Sequence, residues 1–359
     1  MDRSDGNGNC VSMPTAEEQD QLASDLYHEV ESQWRAIRDC ESALEAPWAN
    51  DLLVDARNDP RCTCLEGSSL EAFAINGTAA GEGVFFFPTV LNESQQRALL
   101  RTTLGEWAHP PNRNNLWPTS ISEDAMLEGL HDFVSGKSGT LIERLRWITL
   151  GRQYDWTDRR YLSSEETPPL PAALIGLAEA IVSTLHLPET IKIEPFDAAI
   201  CNFYHAARRP SDRLGGHKDD VEPGVSSPLV SLSLGLPCVF LLGGETRAER
   251  PTPILLRSGS ALVLAGRARQ AYHGVPSVMV PPRLQPRGRG HPRPRKDDVS
   301  LAHVYCPWQL VRNENSNVES TSVPTVAQRD NGSTEMDAII EHLLTHTRVN
   351  FSIRSVGTE

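Results

Sequence analysis

Apolar positions along this chain follow two regimes, with the change near residue 190. Upstream, helical spacing dominates. Thr15 followed by Glu18 has the form of a capping box and predicts a helix running to about Ala43. Residues 92–104 predict a second helix and residues 170–185 a third. Residues 46–80 are punctuated by Pro and Gly and read as a linker. The apolar burst at 84–87, entered from Gly83 and closed by Pro88, predicts a first buried strand. Residues 105–140 read as loop and short helix, a reading that leaves Trp107 and Trp117 without a predicted environment.

Downstream, short β-rich runs alternate with turn residues: KIEPFDAAICNFYH, PLVSLSLGLPCVFLLGG, TPILLRSGSALVLAG, AYHGVPSVM and TRVNFSIRSV. Runs of this length and spacing predict a β-sandwich or jelly roll rather than a parallel α/β sheet. The pattern breaks at 281–337 into a Pro-, Arg-, Asn- and Ser-rich insertion, too long for filler in a compact domain. A short helix at 339–344 then leads into the last strand. The expected fold is mainly β with flanking helices (α+β), a double-stranded β-helix preceded by a helical N-terminal extension. Three regions follow: an acidic extension over 1–80, disordered at 1–14 and helical after it; an intermediate region over 81–190; and the jelly roll over 191–356 with its insertion.

Charge sharpens this division. The chain of 359 residues carries a formal net charge of -13, and 14 acids against 4 bases fall in residues 1–60. The acidity therefore belongs to the extension. By contrast, Arg283, Arg287, Arg289, Arg293, Arg295 and Lys296 crowd one acid-free stretch. That stretch is either a phosphate-contacting arm or a solvated loop kept soluble by its arginines. The seven cysteines are odd in number and scattered, which suits reduced thiols, and Cys62 and Cys64 read as loop thiols rather than half of a zinc site. No apolar run is long enough to span a membrane and no secretory leader opens the chain, so a soluble, intracellular protein is expected, in the nucleus, cytoplasm or mitochondrion. Nothing calls for an obligate protein partner.

The candidate chemistry begins with His217-Lys218-Asp219, followed 54 residues after the aspartate by His273. Two imidazoles and a carboxylate suit non-haem Fe(II), because they leave adjacent coordination positions for a bidentate 2-oxo acid and O2. H-x-D alone is a common pattern. Arg348 and Arg354 lie six apart, so on one strand they share a face. Two guanidiniums on a buried face need anions, and either a dicarboxylate or an internal acid would serve.

The segments LIERLRWITLGRQYDW, ICNFYH, HKD, LVSLSLGLPCVFLLGG, SGSALVLAGRARQAYHGVP and TRVNFSIRSV together resemble the AlkB family of Fe(II)- and 2-oxoglutarate-dependent dioxygenases, most closely its eukaryotic homologue 1 branch. They stand in family order and cover most of 83–356 outside the insertion. The resemblance implies that His217, Asp219 and His273 bind the iron. It implies that Arg348 takes the far carboxylate of 2-oxoglutarate and Arg354 the end near the metal, with Asn202, Tyr204 and Asn350 adding hydrogen bonds. It gives Trp147 the role of stacking on a target base, Tyr154 a backbone contact, and Arg269, four residues before His273, a place at the pocket floor, all three as substrate-binding residues, the first two in a nucleotide-recognition lid within 81–190, the N-terminal part of the catalytic domain.

The activity so implied is oxidative removal of N-methyl groups, adenine-type in tRNA or DNA, with succinate and formaldehyde as products. The partner would be a single-stranded, looped or flipped nucleotide. One departure weakens the inference to alkylation repair. The acidic residue that bacterial relatives carry two positions after the iron aspartate is Val221 here, flanked by Asp220 and Glu222. A hydroxylase of a protein or small molecule would use the same triad and arginines, and is the alternative.

Overall fold

The computed structural model describes residues 25–155, 157–158, 160–219, 227–284 and 334–357. The disorder expected at 1–14, the capping box at Thr15 and most of the 281–337 insertion with its basic run lie outside them. In chain order the elements are α1 (Leu26–Arg35), α2 (Cys40–Glu45), β1 (Cys62–Cys64), β2 (Phe73–Ile75), β3 (Val84–Phe87), α3 (Glu93–Thr102), β4 (Arg113–Asn114), α4 (Glu123–Val134), α5 (Leu141–Arg144), β5 (Trp147–Gly151), β6 (Tyr154–Asp155) and β7 (Arg160–Tyr161). There follow α6 (Ala172–Ser183), β8 (Ala198–Tyr204), β9 (Leu214–His217), β10 (Leu229–Gly235), β11 (Cys238–Leu242), β12 (Thr252–Leu256), β13 (Ala261–Leu264), β14 (His273–Val278), α7 (Thr334–His346) and β15 (Arg348–Arg354).

The strands form a large sheet in the order β1-β2-β3-β13-β10-β15-β8-β5-β4, a smaller one in the order β12-β11-β14-β9, and the ribbon β6-β7. From β8 onward the strands divide four and four between the two larger sheets, the connectivity of a double-stranded β-helix. Leu262 and Leu264 of the large sheet meet Phe240, Leu242 and Val275 of the small one, so the sheets face each other.

Period-two alternation decides what each face carries. Along β10 and β15, Val230, Leu232, Leu234, Val349, Phe351 and Ile353 point outward and are buried against Leu99, Phe133, Leu174 and Leu343 of the helices. Each such side chain contributes roughly 1.5–3 kcal/mol on burial. Ser231, Ser233, Arg348, Asn350, Ser352 and Arg354 therefore point inward, between the sheets. A register slip of one residue would exchange the two sets, so the apolar packing outside enforces the polar array inside.

Three local expectations need correction. The helix predicted to Ala43 is interrupted: α1 ends at Arg35, and Asp39 caps a separate α2 by accepting from the Ser42 N–H at 2.8 Å. The 46–80 linker contains β1 and β2, which extend the large sheet through β3, so Cys62 and Cys64 lie on a strand rather than a loop. Helix α1 also does more than extend the chain. Tyr27, Val30 and Trp34 cover the outer face of the small sheet against Val239, Leu241 and Leu255. Tyr27 occupies the space a Cβ on Gly216 would need, and buried Glu31 accepts the Gly216 N–H at 3.1 Å, directly behind His217.

Candidate active site

Strands β9 and β14 pair so that His217 stands opposite His273, with ring centroids 4.4 Å apart. Asp219 lies two residues beyond, on the same side. Its carboxylate comes within 3.8 Å of His217 Nε2 and 3.9 Å of His273 Nε2. The three donor atoms lie within 4.8 Å of one another, and among the described residues no other cluster of three such donors occurs.

Hydrogen bonding selects the ligand atoms. His217 Nδ1 is 3.0 Å from the Gly215 carbonyl and His273 Nδ1 is 3.1 Å from the Ala271 carbonyl. A carbonyl can only accept, so each ring carries its proton on Nδ1 and directs the Nε2 lone pair at its neighbour. Burial, with His217 close by, lowers His273 to about 4, which keeps that lone pair available at neutral pH. For Asp219 burial alone would raise the carboxyl. The charges of Arg354, His273 and Arg269 overcome it and hold the group well below the usual carboxylate range. Arg354 reaches Asp219 Oδ2 at 3.0 Å and Arg269 the same oxygen at 3.4 Å.

The two arginines of β15 share a face, as their even spacing requires, but differ in partners. Arg354 pairs with Asp219, the internal acid of the two alternatives. Arg348 is 1% exposed, donates from Nη2 to Ser233 Oγ at 3.1 Å, and has no carboxylate within 4.0 Å among the described residues. Its Nε and Nη1 have no acceptor there. A buried guanidinium left in this state fits an anion, and a carboxylate would meet its fork bidentately. Around it Asn350 donates to Ser231 Oγ at 2.9 Å and to the Leu232 carbonyl at 2.8 Å, while burial pushes the Tyr204 phenol up.

These residues enclose a cavity of about 470 Å³, lined by His217, Lys218, Asp219 and His273 at one end and by Asn202, Tyr204, Arg348 and Asn350 along the large sheet. Tyr154 joins the lining. It does so with Tyr161, its cross-ribbon partner at 5.1 Å between ring centroids, which the sequence did not single out. Trp147 opens strand β5. It stands opposite Asn202 on the pocket-facing side, half-buried, and is not among the lining residues. Arg269, expected at the pocket floor, is likewise not among them: its guanidinium lies behind the wall against Asp219. Lys218 and the serines Ser231 and Ser352 also line the cavity. The serines had a signal in the alternation of LVSLSLG, whose polar positions fall on one face. Val221 and its acidic neighbours lie outside the described residues.

The profile of the 2OG-Fe(II) oxygenase superfamily matches residues 83–354. The nucleic acid dioxygenase ALKBH1 of Mus musculus is 30% identical over 312 residues, covering 84% of this chain and 71% of that one. The chain belongs to the 2OG-Fe(II) oxygenase superfamily, in its AlkB homologue 1 group. Members of that superfamily use Fe(II), 2-oxoglutarate and O2, and the donor set and Arg348 suit the first two. Two further members of the AlkB group match this chain. The DNA N(6)-methyladenine demethylase ALKBH1A of Arabidopsis thaliana is 31% identical over 225 residues, 55% of this chain and 64% of its own. The tRNA demethylase abh1 of Schizosaccharomyces pombe is 34% identical over 177 residues, 47% of this chain and 55% of its own. The chain thus spans less than two thirds of the length of these two relatives.

Proposed function

We propose that the protein is an oxidative demethylase of nucleic-acid bases, acting on N-methyl adenine-type lesions or marks in tRNA or DNA. His217, Asp219 and His273 hold Fe(II), and bound iron supplies the oxidation of the methyl group with 2-oxoglutarate and O2 as cosubstrates. Arg348 grips the far carboxylate of 2-oxoglutarate, Arg354 braces Asp219 and the near end, and Asn202, Tyr204 and Asn350 orient the acid between them. Arg269 acts as a positioning residue through Asp219. The single observation that carries the reading is the unmet valence of Arg348 in the cavity that holds the triad, since an anion-demanding guanidinium beside three convergent metal donors is what a 2-oxo dicarboxylate requires.

Nucleic acid as the substrate is supported by what the Arabidopsis and fission yeast relatives are named for. A base stacked in a duplex cannot enter a cavity of about 470 Å³, so the target is single-stranded, looped or flipped. Tyr154 and Tyr161 give the cavity wall its aromatic part, and Trp147 stands opposite cavity-lining Asn202 on the same sheet face. The expectation is that N-methyladenine-containing tRNA or single-stranded DNA stimulates succinate and formaldehyde formation in equal amounts. If no methylated nucleic acid does so while the protein still turns over 2-oxoglutarate, it is a hydroxylase of another substrate. Among the described residues no helix is long and apolar enough to cross a membrane.

A further inference from the structure

The pocket-facing side of the large sheet does not stop at Trp147. Thr149 stands opposite cavity-lining Ile200 across β5–β8 and opposite Arg113 across β5–β4, so Arg113 continues that face to the sheet edge. Two strand spacings, about 10 Å, separate it from the cavity wall. There its guanidinium lies over the ring of Trp117 at 5.2 Å from the centroid. Trp117 is 53% exposed, the most exposed tryptophan among the described residues, so water reaches much of a ring that already carries a cation.

The loop that presents this pair is held by several hydrogen bonds. Asn115 accepts from the Arg146 and Trp147 N–H groups at 2.6 and 3.3 Å, and its own N–H donates to the Trp147 carbonyl at 3.2 Å. Asn114 is buried, donates to the Ala108 carbonyl at 2.9 Å and accepts the Leu116 N–H at 2.8 Å. Folding therefore orders a large apolar ring in water and ties its loop directly to Trp147, which stands opposite cavity-lining Asn202. Neither core packing nor the metal site accounts for Trp117.

We propose that Trp117 and Arg113 form a second nucleotide platform, which stacks the base adjoining the target nucleotide in an unpaired strand. The proposal rests on the demethylase reading. An indole face accepts any base, and Arg113 sets a positive charge beside it for the intervening phosphate. Asp155 and Glu166 lie within electrostatic reach of Arg113 and temper that charge.

The test compares a methylated single-stranded oligonucleotide with the same methylated mononucleotide, using the full chain with Fe(II) and 2-oxoglutarate. Trp117→Ala should raise the oligonucleotide KM about tenfold, within the range of one lost base stack. It should leave the mononucleotide KM and uncoupled 2-oxoglutarate turnover unchanged, and Trp117→Phe should recover most of the loss. Arg113→Gln should have the smaller effect and reduce the salt dependence of oligonucleotide binding by about one phosphate contact. An unchanged oligonucleotide KM in Trp117→Ala, or an equal change on both substrates, overturns the platform while leaving the demethylase reading standing. Failure of the wild-type protein to respond to any nucleic acid removes that reading and the platform with it.

Discussion

His205 and His273 are both buried histidines close to strand ends, and burial lowers both to about 4. Their surroundings differ in one respect. His205 Nε2–H donates to the Leu145 carbonyl at 2.9 Å and its Nδ1 meets Thr347 Oγ1 at 3.1 Å, so both nitrogens are committed to holding the end of β8 against α5 and the start of β15. His273 commits only Nδ1 and turns Nε2 toward Asp219 and His217. The same contrast separates the arginines nearby. Arg208 spends its guanidinium on the Lys137 and Phe133 carbonyls and on Glu143, whereas Arg348 keeps two nitrogens without acceptors. Burial and a depressed pKa are common to a structural histidine and to the one proposed to hold the metal. Convergent, uncommitted valence is what distinguishes them.

The largest effect that would sharpen this comparison is at the carboxylate. Asp219→Ala should abolish succinate formation and weaken Fe(II) binding, because it removes a donor and leaves the Arg354 and Arg269 charges without their shared acceptor. Full turnover in that variant would end the assignment of the triad. Next comes Arg348→Ala, which should raise the 2-oxoglutarate requirement by about a hundredfold, on the order of a lost charge-assisted bidentate contact. Fe(II) titration of this variant should match the wild type, since Arg348, unlike Arg354, does not touch Asp219. Equal damage to iron binding by Arg348→Ala and Arg354→Ala would break the division of labour along β15.

At Trp147 the effect should be smaller. Trp147→Ala should reduce demethylation of a methylated oligonucleotide roughly ten- to a hundredfold while sparing uncoupled 2-oxoglutarate decarboxylation. The cavity lining suggests a rival: if Tyr154→Ala has the larger effect and Trp147→Ala none, the ribbon tyrosines hold the base instead. Smallest on turnover should be His205→Gln, which loses paired hydrogen bonds at a cost of about 1–3 kcal/mol in stability but leaves Fe(II) affinity alone. The His205 ring stays neutral in the fold down to about 4, while the unfolded chain takes up a proton below about 6.5. Its contribution is therefore complete above that pH and declines as the pH falls from 6.5 toward 4. Urea unfolding across this window should show a shallower pH dependence in the variant, and an unchanged slope would mean that His205 is not held neutral.

Much of this protein is legible in its amino-acid sequence. The alternation in LVSLSLG and TRVNFSIRSV determines which side chains face helices and which face the cavity, because a strand's period of two admits only those sets. The six-residue spacing puts Arg348 and Arg354 on one side, and the H-x-D pattern with a later histidine names the donors. What local periodicity does not carry is pairing between distant segments. Only the register of β9 against β14 brings His273 opposite His217, and only the fold places Arg269 on Asp219 and Tyr161 beside Tyr154. The strands within 46–80 escape for a related reason. At three residues each they have too few positions to show a period, and they exist because β3 offers an open edge. Helix α1 is readable as amphipathic. That its Tyr27 and Glu31 stand behind the strand bearing His217 is decided by tertiary packing, since nothing in the spacing of residues 26–35 specifies a partner almost two hundred residues away.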